Sequence, residues 1–108
     1  MAGGAGAYPE RAVSLPVSLR PRAEADLVDA YEWYRERLPE LGTAFLGSVD
    51  ACMGRIERHP EAYPEVHASV RRAALRRFPY DVFYAIREDR IDVLAVYHAR
   101  RRPRAFDR

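Results

Sequence analysis

Eleven arginines fall between Val70 and Arg108, at positions 71, 72, 76, 77, 87, 90, 100, 101, 102, 104 and 108, against five acids. That third of the chain carries a net charge of +6, residues 13–59 carry −2, and all 108 residues together carry only +2. A nearly neutral protein has gathered its positive charge in one segment, which points to a polyanionic or acidic partner. All 18 basic residues are arginine. A GC-rich genome would account for that choice, and the physical consequence stands either way. Arginine stays charged at any relevant pH and offers a planar fork to phosphates and carboxylates. The absence of lysine removes one common general acid or base.

The other reactive side chains are few. Cys52 is the single cysteine and the three histidines, 59, 67 and 98, are scattered. No intrachain disulfide can form, and neither a structural zinc site nor any other metal or cofactor is expected. Cys52 reads as a small core residue on a helix. His98 ends an apolar run and is followed, after Ala99, by Arg100, Arg101 and Arg102, with Arg104 beyond. Those arginines leave a buried strand directly, so their anchor is rigid and they read as a contact surface. Trp33 lies off the apolar stripe of its helix, and an exposed tryptophan is a frequent interface anchor.

Two helices and several strands must position these groups. Val13–Arg20 alternates at Val17 and Leu19, and Pro16 argues for an edge strand starting near Val17. Pro21 suits the first turn of a helix. Ala23, Leu27, Ala30, Tyr31, Tyr34 and Leu38 then recur at helical spacing until Pro39 stops the helix. After the short link LPELG, a second helix carries Leu41, Phe45, Val49, Cys52, Met53 and Ile56 on one stripe and ends at His59–Pro60. Gly47 and Gly54 inside it suggest a close helix–helix contact. Residues 59–69 read as a Pro-bearing loop. Strands follow at Val70–Leu75, Tyr80–Arg87 and Arg90–His98, with Glu88–Asp89 as a turn. In the last strand Ile91, Val93, Ala95 and Tyr97 alternate with Asp92, Leu94, Val96 and His98. The order β-α-α-β-β-β predicts an α+β fold with an αα-hairpin packed on an antiparallel sheet.

Residues 1–12 read as a flexible Gly/Ala-rich extension and 13–108 as one domain. No run approaches the roughly 18 apolar residues of a membrane span. The N-terminus has no charged-then-apolar signal pattern, so the expected compartment is the cytoplasm.

The element order, together with AEADLVDAYEWYRERLPELGTAFL at 23–46, RIERHPEAYPEV at 55–66, VRRAALRRFPYDVFY at 70–84 and IDVLAVYHARRRP at 91–103, resembles the RelE/ParE superfamily of toxins. The similarity covers roughly residues 17–104, and the last two words are the most specific. The resemblance implies a toxin of a bacterial type II toxin–antitoxin system, neutralised in a hetero-oligomer by a cognate antitoxin that wraps the helical hairpin and the sheet edge. It implies either of two activities. ParE-like members poison DNA gyrase by binding, and the wording here is closer to them. RelE-like members cleave mRNA on the ribosome without a metal.

Each activity assigns residues. Metal-free cleavage needs a base for the 2′-OH, a clamp for the phosphate and an acid for the leaving oxygen. By position, Arg76 or Arg77 would be the sheet arginine, His98 the strand-end acid or base, and Glu65 a base. No tyrosine follows His98 in the tail. Binding without catalysis would place the target on Arg100, Arg101, Arg102 and Arg104. The antitoxin surface would include Trp33, Tyr34, Arg71 and Arg72. A plain nucleic-acid-binding module and an inactive family member are the remaining readings.

Overall fold

The computed structural model describes residues 14–101. In chain order its elements are β1 (Val17–Leu19), α1 (Pro21–Arg37), α2 (Pro39–Arg58), β2 (Glu65–His67), β3 (Val70–Ala74), β4 (Tyr80–Ile86) and β5 (Ile91–His98). The strands form one sheet in the order β1-β5-β4-β3-β2. The α+β architecture is the expected one, with a helical hairpin on one face of the sheet. The expected extension at 1–12, and Arg102 and Arg104, lie outside the described residues.

Two details differ from the sequence pattern. The sheet is mixed, because β1 runs parallel to β5 with Val17 opposite Ile91 and Leu19 opposite Val93. It also gains β2, a three-residue edge strand inside the segment expected as loop, antiparallel to β3. Three residues are too few to show alternation. The turn into β3 also hides its signal, since the positive φ of 49° falls on Ala68 and not on a glycine.

The helices meet more tightly than the link LPELG suggests. Leu38 alone separates them: its N–H donates to the Tyr34 carbonyl at 3.0 Å, and its own carbonyl accepts from Leu41 at 2.8 Å. Pro39 therefore opens α2 as well as ending α1. It lacks the N–H that would continue α1, and its fixed φ suits a first helical turn. Gly42, Phe45, Val49, Cys52 and Ile56 are buried along α2, and Ala23 and Ala30 along α1. Cys52 is thus a core residue as expected, and burial pushes its thiol up.

The close helix contact is not at Gly47 or Gly54. A Cβ on Gly47 would meet nothing within 4 Å, and one on Gly54 would meet only Arg58 Nη1 at 3.3 Å. The contact is at Gly42, where a Cβ would lie 3.0 Å from Tyr31 Cε1 and 3.3 Å from the Arg35 Cα. Gly47→Ala should raise stability by up to about 1 kcal/mol, because only the helix penalty of glycine is removed. Gly42→Ala should lower it, because the Arg35 backbone cannot swing aside. Urea midpoints of the two variants check both signs.

The last strand also departs from simple alternation. Pairing with β4 runs Phe83 to Ala95, then Tyr84 to Val93, leaving Leu94 as an extra residue. This bulge exchanges the faces beyond it. Ile91, Val93 and Val96 all join the core under the helices, and Ala95 and Tyr97 do not. Tyr84, fully buried on the helix side, donates its hydroxyl to the Pro60 carbonyl at 2.6 Å. Burial pushes that hydroxyl up to about 12.

Arg87 N–H to Arg90 carbonyl, 2.8 Å, closes the expected Glu88–Asp89 turn. Buried Asp92 anchors it, accepting from Arg90 Nε at 2.8 Å and Arg87 Nε at 3.1 Å. The Arg90 hydrogen bond, followed by that of Arg87, holds the Asp92 carboxyl below its ordinary value against the opposing effect of burial. A depressed folded-state value contributes stability above the unfolded carboxyl pKa of about 3.9, and that contribution is lost as pH falls through the folded value. Melting temperatures between pH 7 and pH 2 should therefore fall at the acid end. Asp92→Asn should be less stable at pH 7 and show a flatter acid limb.

Candidate functional site

The proposed acid–base pair does not converge. Glu65 lies on edge strand β2, 3.3 Å from Arg71 Nη2, and pairs in register with Arg71, which pairs with Tyr84. His98 ends β5 opposite Tyr80. Three strand spacings and four residues along the strand separate Glu65 from His98, roughly 20 Å. A shared proton transfer needs hydrogen-bond reach or one bridging water.

Arg76 and Arg77 are not sheet arginines. They sit exposed in the β3–β4 loop, and the arginines within β3 are Arg71 and Arg72. Arg71 is occupied in holding the fold: it donates to the carbonyls of Tyr63 at 2.6 Å and Glu61 at 3.2 Å besides meeting Glu65. Arg72 is half-buried opposite Phe83.

The β3–β4 loop is tied to the exit of β5, since the Ala99 N–H donates to the Pro79 carbonyl at 2.8 Å. That bond brings Arg76, Arg77, His98, Arg100 and Arg101 to one end of the molecule. His98 Nδ1 accepts the Arg100 N–H at 3.1 Å. Its ring stands edge-on to Tyr80, 5.2 Å between centroids.

Beside this end lies an open cleft of about 300 Å³, lined in part by Asp29, Trp33, Tyr34, Tyr80, His98 and Arg101. It exists because β1 stops opposite Val93 and α1 takes over along the rest of β5. The Asp26 carboxylate accepts the Val96 N–H at 2.9 Å where a strand would otherwise pair. Trp33 is 47% exposed, as its position off the stripe implied. The Arg37 guanidinium lies over its ring at 3.4 Å. Tyr34 is partly core: its ring stacks on Phe45 at 5.4 Å and meets Phe78 at 5.0 Å edge-on. Burial pushes the Tyr34 and Tyr80 hydroxyls up, and for Tyr80 the Arg101 charge opposes the shift.

A second surface was missed in the sequence. Val17, Leu19, Leu27, Leu46, Val49, Asp50 and Met53 line a groove of about 350 Å³ between β1 and the hairpin. Leu46 is 44% exposed and Leu19 36%. The available signal was Leu46 itself, an apolar residue one position off the core stripe of α2.

Among the described residues no cluster of His, Cys, Asp or Glu is arranged to hold a metal ion, and no helix is long and apolar enough to cross a membrane. Residues 17–103 match the family model described as "ParE toxin of type II toxin-antitoxin system, parDE". The chain is similar to Toxin ParE2 of Mycobacterium tuberculosis (strain CDC 1551 / Oshkosh), 33% identical over 85 residues, which covers 78% of this chain and 81% of the relative. Toxin ParE2 of strain ATCC 25618 / H37Rv matches to the same extent. Among solved structures, a chain of the "Chromosomal ParDE TA system from P. aeruginosa" superposes with a TM-score of 0.64 at 18% identity. The match covers 78% of this chain and 95% of that one, a likeness of fold.

Proposed function

Because the chain belongs to the ParE toxin family of type II toxin–antitoxin systems, we propose that it inhibits growth by binding DNA gyrase in the cytoplasm. A cognate antitoxin silences it by covering the apolar groove and the Trp33 cleft. The observation that carries binding over catalysis is the roughly 20 Å between Glu65 and His98. The target contacts assigned to this reading are Arg100 and Arg101, with Arg102 and Arg104 continuing the series. For the antitoxin, the exposed Leu19 and Leu46 supply apolar area, and Trp33 with Tyr34 supplies the aromatic edge.

The test is inducible expression with and without the product of the neighbouring gene. Primer extension on cellular mRNA and a gyrase supercoiling assay are run on the same cultures. Arrest with intact transcripts and lost supercoiling is expected, and His98→Ala should remain as toxic as wild type. The second reading, a ribosome-dependent endoribonuclease, is favoured by one observation: His98 shares its end of the molecule with Arg76 and Arg77. Arrest with cut transcripts, abolished by His98→Ala and Arg77→Ala, would replace the gyrase reading with that one.

A further inference from the structure

Arg76, Arg77, Arg100 and Arg101 are all exposed, and none of them pairs with a carboxylate among the described residues. Arg22, Arg35, Arg71, Arg87 and Arg90 each do. Arg20, Arg37 and Arg58 are also exposed without a carboxylate partner among the described residues, but they lie on other elements. What sets Arg76, Arg77, Arg100 and Arg101 apart is that they come from two segments on one fixed frame. Ser48 Oγ donates to the Arg76 carbonyl at 2.6 Å. Leu75 N–H donates to the Tyr80 carbonyl at 2.9 Å, Ala99 N–H to Pro79 at 2.8 Å, and Arg101 N–H to His98 at 2.9 Å.

Arg77 adds a second, independent observation. Its φ is 76°, in the left-handed region where a β-carbon is disfavoured and glycine is the usual occupant. Strain of this sort persists only where the surroundings enforce it, and it collects at functional positions. Here a strained backbone carries a long cation into solvent.

We propose that this end of the molecule binds the phosphate backbone of duplex DNA, each of the four arginines meeting a phosphate. Guanidinium forks suit phosphate oxygens in number and geometry. Single-stranded nucleic acid is gripped instead by exposed aromatic rings that stack its bases. The rings near this end are poorly placed for that role. Phe78 is buried, Tyr34 is packed against Phe45, and Arg37 covers a face of Trp33. The inference does not depend on gyrase, and its test uses none.

The test is fluorescence anisotropy of a labelled 20-base-pair duplex with the purified full chain, across 50–300 mM NaCl. Each phosphate contact contributes about −0.9 to the slope of log K against log[salt]. The difference between variants is the readout. Arg76→Gln/Arg77→Gln and Arg100→Gln/Arg101→Gln should each flatten the slope by about 2. Arg22→Gln/Arg35→Gln should leave it unchanged. Arg77→Gly removes the charge and relieves the strain together, so it should flatten the slope by about 1 with the melting temperature unchanged or raised. Three results would overturn the proposal: no duplex binding at 50 mM salt, slopes unchanged in both Gln pairs, or tighter binding to single-stranded RNA of equal length.

Discussion

Phe45→Ala should lower the folding free energy by about 3–5 kcal/mol. Phe45 is 0% exposed, and its ring lies 5.4 Å from Tyr34, 5.5 Å from Phe78 and 5.4 Å from Tyr80. These partners come from α1, the β3–β4 loop and β4, so one side chain closes the hairpin onto the sheet. Truncation would remove its transfer free energy and leave a cavity bounded by rigid rings. A domain of this size has about 5–15 kcal/mol in total. A large share of it would vanish, and the arginine end would loosen with it, because Phe78 is the residue after Arg77. Chemical denaturation measures the loss directly. A loss below about 1 kcal/mol, far under the usual range for a buried phenylalanine, would mean that the cluster refills the space, and that Phe45 does not hold the loop.

Much of this fold was legible because its punctuation is local. Pro21, Pro39 and His59–Pro60 act on their own backbone, and the stripe from Phe45 to Ile56 needs only one helix to be read. What the sequence hid depends on pairing between distant segments. The bulge at Leu94 appears only when β5 is laid against β4, since Val93, Ala95 and Val96 beside it are apolar on either face. Gly42, Gly47 and Gly54 look alike in the chain, and only the approach of Tyr31 and Arg35 separates the first from the others. The same holds for the site. Arg76, Arg77, Arg100 and Arg101 are visible as charge, but their sharing one end of the molecule rests on the pairing of Tyr80 with His98 and on the bond from Ala99 to Pro79. Glu65 looked available as a base until β2 paired it with Arg71, far from His98. Trp33 could be read as exposed because a single helix decides its face. The groove at Leu46 could not, because three elements build it.

Leu46→Arg should weaken binding of the cognate antitoxin at least about 30-fold, near 2 kcal/mol, the size expected for a central interface residue. Leu46 and Leu19 are the exposed apolar walls of the groove, and among the described residues Asp50 is the one charged residue in its lining. A guanidinium placed there would have to be desolvated under a docked apolar segment. The free toxin would tolerate it. Position 46 faces solvent, arginine is a good helix former, and Asp50 stands four residues on, within reach of an i,i+4 pair. The melting temperature should therefore stay within a few degrees of wild type. In cells, co-expression of the antitoxin should no longer prevent growth arrest, although the toxin itself is unchanged at Arg100 and Arg101. Trp33→Ala provides the second arm, because it removes the aromatic edge of the other cleft and leaves the groove intact. If Leu46→Arg is still neutralised and Trp33→Ala is not, the antitoxin seats on the α1–β5 cleft. If both remain neutralised with unchanged affinity, neither surface is its dock. The groove would then have to be explained by a different partner of this toxin.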